Sequence, residues 1–171
     1  MTWFVRAFLK ASLSWLALGV SLGVAMAAHP LWTVYRLVHV HMVLLGFVTM
    51  MIYGVAYHVI PRFAGFPLHS ARAAVAHWWI SNAGLALMAT GFAIREHEAT
   101  AGTIVLATGG TLSALGAYIF VYVIWRTIDG PEALRAGARR AAQVTQQSRA
   151  GALPVLGARE PARDAAASAG R

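Results

Sequence analysis

Residues 37–60 read LVHVHMVLLGFVTMMIYGVAYHVI, 24 positions without a single Asp, Glu, Lys or Arg. Coiled as an α-helix, such a stretch extends about 36 Å and crosses a hydrocarbon layer of about 30 Å. Comparable uncharged runs occupy 73–94 and 101–125, and a shorter one, 11–28, is still long enough to span. The connections are brief: His29 to Arg36, Pro61 to Arg72 and Arg95 to Thr100. Pro30, Pro61 and Pro67 fall in them, where a missing backbone donor does no harm. The pattern predicts an all-α fold, an integral membrane four-helix bundle over residues 1–126. Its spans are expected at about 8–28, 37–60, 74–94 and 101–125.

Beyond Thr127 the composition shifts to Ala, Arg, Gly, Gln and Pro with few large apolar residues. Residues 127–171 therefore read as a basic, largely disordered tail, within which Glu132–Arg149 has the makings of a basic helix on the membrane surface. Much of the formal charge of +8 sits there. Beside a membrane bundle such charge sets orientation, and no nucleic-acid partner is expected. Arg6, Lys10, Arg62, Arg72, Arg126 and the tail arginines share one side of a four-span topology; Arg36 and Arg95 face the other, Arg95 next to Glu96 and Glu98. The positive-inside rule puts both termini in the cytoplasm of a bacterial inner membrane, with the opposite side periplasmic.

Two features qualify this frame. Arg6, Lys10, the apolar stretch and Ala25-Met26-Ala27 imitate a cleavable leader. The stretch is long for that, and Gly19-x-x-x-Gly23 offers a face for close helix packing, so a retained helix is the better reading. The chain has no cysteine, which removes disulfides and thiolate metal sites from consideration.

All seven histidines precede the tail. His29, His69 and His97 lie near helix ends, where an interfacial side chain is the ordinary reading. His39 and His41 lie inside the second span, where a polar ring is costly without a partner. At 100° per residue they point about 200° apart. The His41 face continues as an apolar stripe through Leu44, Leu45, Val48, Ile52, Val55 and Val59. The His39 face continues through Met42, Val43, Gly46, Met50, Tyr53 and Tyr57. Gly46 falls two turns below His39, where a missing side chain would admit a flat macrocycle; it would equally admit a neighbouring helix, with His39 bonded to that neighbour. In the third span His77, Ser81, Gly84, Met88 and Gly91 form a small and polar stripe with Asn82 beside it, a pattern of helix–helix contact. His58 and His77 end and begin adjacent helices and form a candidate second site.

The run Arg36 to Phe47 resembles the opening of the second helix in the catalytic subunit of heme–copper oxidases, most closely the cbb-type cytochrome c oxidases and bacterial nitric oxide reductases. The likeness continues in Tyr57-His58-Val59-Ile60-Pro61-Arg62 and reappears at His77-Trp78-Trp79. It is also similar to small four-helix proteins carrying Gly-Val-Ala-Tyr-His-x-x-Pro-Arg-Phe, present here as Gly54 to Phe63. The resemblance implies that His39 is an axial ligand of a heme b, with His41 standing where the family has asparagine. It implies a second ligand from His97, His29, a displaced His41, or His39 of another protomer, as in a homodimer. The family's further helices, with their remaining heme and metal ligands, have no counterpart here, so no copper site and no complete dinuclear centre are expected. The expectation is a heme b-binding membrane protein in respiratory electron transfer or gas sensing. The alternatives are a cofactor-free accessory or assembly subunit of a respiratory membrane complex, and an oxidase or reductase completed by a larger partner chain.

Overall fold

A computed structural model describes residues 2–151. The protein is an all-α bundle of four helices. Helix α1 covers Trp3–Ala28. Helix α2 covers Pro30–Ala64 and changes its winding three times: a 3-10 turn at Pro30–Tyr35, α at Arg36–His41, π at Met42–Thr49, and α again at Met50–Ala64. Helices α3 (Ala71–Arg95) and α4 (Ala99–Gly151) complete the bundle.

Three of these helices, α1, α2 and α4, are long and apolar enough to cross a membrane. Helix α3 has the length but not the apolarity, because Ala, Gly, Ser, Asn and His replace large aliphatic residues along it. His77, Ser81, Gly84, Met88 and Gly91, the stripe seen in the sequence, are all buried. Of the apolar stripe on α2, Leu44, Val48, Ile52 and Val55 are exposed, and Leu45 and Val59 are half-buried.

Glycine contacts fix the topology. A Cβ on Gly19 would come within 2.9 Å of Val43, and one on Gly23 within 3.0 Å of His39, so α1 and α2 run antiparallel with the Gly19-x-x-x-Gly23 face between them. Gly84 lies against the Ser113 backbone, and Gly91 against that of Leu106, which sets α3 antiparallel to α4. Tyr57 bonds His77 while His41 packs on Phe92, so α2 and α3 also run in opposite directions. The result is an up-down-up-down bundle.

Several boundaries differ from the sequence expectation. Helix α1 starts at Trp3, and the added turn carries Phe4 and Val5 into the core. Helix α2 starts at Pro30, whose absent N–H is harmless at a first helical position. Pro61, expected in a connection, lies within the last turns of α2. That end is closed by Gly65 at φ 63°, with the Phe66 N–H donating to the Pro61 carbonyl (3.1 Å) and the Gly65 N–H to the Arg62 carbonyl (3.3 Å).

The largest correction is at the boundary placed after residue 126. Thr127 is fully buried, and its hydroxyl donates to the Val123 carbonyl and accepts from the His69 N–H. The bundle unit reaches Pro131. The expected basic helix from Glu132 is present, helical to Gly151 and exposed from 132 to 149. The remainder of the tail, 152–171, lies outside the described residues.

Candidate functional site

His39 sits one turn into the α-helical part of α2, half-buried against α1. Its Nδ1 lies 2.8 Å from the Gly19 carbonyl. A carbonyl only accepts, so Nδ1 carries the hydrogen, and any lone pair of the ring is then on Nε2. That nitrogen has no hydrogen-bond partner among the described residues. Gly23 makes the arrangement possible, because a side chain there would strike the imidazole.

His41 shows the same chemistry with less tertiary support. Its Nδ1 donates 2.8 Å to Leu37 of its own helix, and its ring packs on Phe92 of α3 with centroids 4.7 Å apart. Both rings thus have a bonded Nδ1; only His39 takes that bond from another helix, whereas His41 meets α3 by packing on Phe92.

Gly46 is on the buried face, as its phase predicts, but the space beside it is filled. A Cβ there would stand 2.7 Å from Trp15 Cγ and 3.0 Å from Leu85 Cδ2. Trp15 is held in place by Asn82, whose side-chain oxygen accepts from the indole N–H at 3.1 Å while its amide donates to the Trp78 carbonyl. Nothing in a linear pattern announces that Trp15 will meet Gly46; the Gly19-x-x-x-Gly23 face above it was the one available hint.

The other candidates part company. His97 Nε2 lies 3.1 Å from the Tyr35 hydroxyl, on the exposed surface, and His29 packs against Trp32. Both lie at the same end of the bundle as His39, but neither is bonded to it. His58 contacts Arg62 on the next turn. His77 bonds instead to Tyr57, so the structure gives the two members of the second candidate site separate partners.

His77 is the residue whose role the sequence least revealed. It is fully buried. Phe8 of α1, Tyr53 and Tyr57 of α2 and Phe120 of α4 surround its ring, with centroids between 4.5 and 5.8 Å away. All four helices meet at this ring. The aromatics pack on the ring of His77, its Nε2 is buried without a hydrogen-bond partner among the described residues, and the cavity one turn further along, which Thr49, Tyr53, Ser81 and Ser113 help to line, has a volume of about 30 Å³. Pockets for drug-sized ligands and cofactors run to roughly 300–1,000 Å³. The larger open grooves, one bounded by Phe120, Trp125 and Asp129 and another by Trp3, Phe4 and Arg72, contain no histidine.

Among the described residues no group of three or more His, Asp or Glu side chains is placed to hold a metal ion. A single heme ligand asks only for one anchored ring nitrogen and one left unbonded, an arrangement that His39 and His41 both have among the described residues. No other histidine among the described residues is hydrogen-bonded to His39. No protein-family model matches the chain, and no similar curated protein is found.

Proposed function

We propose that this chain is a heme b-binding membrane subunit related to the heme–copper oxidase catalytic subunit, acting in electron transfer or gas sensing. His39 supplies one axial ligand. The observation that carries this reading is the 2.8 Å bond from His39 Nδ1 to the Gly19 carbonyl, since a bond of this kind fixes tautomer and ring direction in metal-ligating histidines. The match of Arg36 to Phe47 with the family's ligand-bearing helix supports the choice of His39 over His41.

Trp15 and Leu85 fill the space beside Gly46, so in this reading His39 would hold the heme together with a second copy of the chain or a larger respiratory subunit. Heme b would supply a one-electron centre or an iron that accepts a diatomic gas. The chain's own part is to hold the ring of His39 still and to surround it with apolar helix. The chain crosses the inner membrane of a bacterium four times with both termini cytoplasmic, α3 being the least apolar span.

The test is an optical spectrum of the purified protein, oxidised and reduced, with and without CO. Soret and α bands are expected in the wild type and lost in His39→Ala. Unchanged bands in that variant would sink the assignment.

A cofactor-free accessory subunit is the second reading, and one observation favours it. Trp15, locked by Asn82, uses Gly46 for helix packing in the way such a subunit would. Purification free of heme under heme-replete expression would establish it.

A further inference from the structure

Two serines face each other across α3 and α4 in a reciprocal arrangement. Ser113 of α4 is opposite Gly84 of α3, where an added Cβ would stand 2.7 Å from its Oγ. Ser81 of α3 is opposite Gly116 of α4, where an added Cβ would strike its Oγ. Each helix thus withholds a side chain to give clearance to the other's hydroxyl. Ser81 is 6% exposed, neither Oγ has a hydrogen-bond partner among the described residues, and both are closed to a water-sized probe, so each reaches a cavity water by turning about its Cα–Cβ bond. Both serines line the cavity of about 30 Å³, together with Thr49 and Tyr53 of α2.

Burying two hydroxyls without partners in a membrane-spanning bundle is costly, and no bulk water is at hand to relieve it. The volume suits one solvent molecule, which needs roughly 10–15 Å³ and two to four polar partners. Thr49 already donates its hydroxyl hydrogen to the Leu44 carbonyl at 2.8 Å, so toward the cavity it can only accept. Serine hydroxyls can do either. Donors and acceptors therefore match what a water offers, two hydrogens and two lone pairs.

We propose that Thr49, Tyr53, Ser81 and Ser113 bind one ordered water inside the bundle, joining α2, α3 and α4 through a polar contact within their apolar packing. The water completes the hydrogen bonding of Ser81 and Ser113 and continues the polar line that begins at Tyr57 and His77, one helical turn away on α3. It requires no heme, so it stands or falls separately from the function proposed above.

The rival arrangement is dry: each serine turns back to the carbonyl four residues earlier in its own helix, His77 for Ser81 and Gly109 for Ser113. Water-edited solid-state NMR on the full chain in lipid nanodiscs separates the two. Polarisation from water should reach Ser81 and Ser113 and should not reach Val48 and Ile52, which are exposed on the outward face of α2. In Ser81→Ala/Ser113→Ala the transfer to Thr49 and Leu85 should fall, because a water there keeps only Thr49 and Tyr53 of its four polar partners. Transfer to the two serines no greater than to Val48 and Ile52 in the wild type would overturn the proposal, as would undiminished transfer to Thr49 in the double variant. The wild-type comparison decides the matter even if that variant fails to fold.

Discussion

The Tyr57 hydroxyl and His77 Nδ1 lie 2.9 Å apart, in a core closed on all sides by Phe8, Tyr53 and Phe120. This bond ties α2 to α3 where all four helices meet. It also relates two residues that the sequence offered for other purposes, Tyr57 as part of a family-like motif and His77 as half of a second heme site. Here they are each other's partner.

Removing one member of that pair strands the other. Tyr57→Phe keeps the aromatic packing but leaves His77 Nδ1 buried and unbonded, at an expected cost of about 1–3 kcal/mol. Tyr57→Phe/His77→Phe removes both polar groups and should cost less than the sum of the single changes, a coupling read from a double-mutant cycle. Chemical unfolding in detergent micelles measures all three. Additive losses would mean that the bond contributes nothing of its own.

Three of the four histidines at one end of the bundle should behave differently. His39→Ala is expected to abolish bound heme, whereas His41→Ala and His97→Ala retain it, since His41 is hydrogen-bonded only within its own helix and His97 is engaged with Tyr35. Heme content per protein, by pyridine hemochrome, gives the comparison. Loss in all three variants alike would point to a general packing effect.

Gly46→Val drives a branched side chain into Trp15 and Leu85. Overpacking of this kind costs about 1–3 kcal/mol, and because Asn82 holds the indole, the strain should fall on the α1–α2 contact. A lower midpoint of unfolding and a shifted Trp15 emission, followed in a variant with the other tryptophans replaced, are the expected outcomes. An unperturbed midpoint would mean that Trp15 does not fill the space beside Gly46.

Thr127 gives a test of where the bundle ends. Thr127→Val removes the acceptor for the His69 N–H and the donor to Val123, and should cost about 1 kcal/mol while accelerating hydrogen exchange at the His69 amide. Thr108→Val, at an exposed position of the same helix, is the control and should stay within about 0.5 kcal/mol of wild type. Equal effects would return Thr127 to the tail.

Much of this was legible along the chain. Uncharged runs gave the helices, and a period of 3.6 sorted α2 into an outward face of Leu44, Val48, Ile52 and Val55 and an inward one of Gly46, Met50 and Tyr57. The inward face held even though Met42–Thr49 is wound as a π-helix. The buried stripe of α3 and the Gly19-x-x-x-Gly23 contact were readable in the same way. These are local properties: length, phase and the presence or absence of a side chain at one position.

What fills a given gap is not local. Whether Gly46 would receive a cofactor or a neighbouring helix depended on the register between α1 and α2, and that register put Trp15 there, with Asn82 of α3 to hold it. The same is true of His77, whose partner was decided by the antiparallel setting of α2 against α3, and of Thr127, which the composition assigned to a tail and the packing assigned to the core. Sequence alone established an all-α, membrane-compatible chain with a histidine at a costly position in its second helix. The tertiary structure decided which polar groups meet, because each interior contact joins side chains from different helices and the interhelical register is fixed only when all four faces pack together.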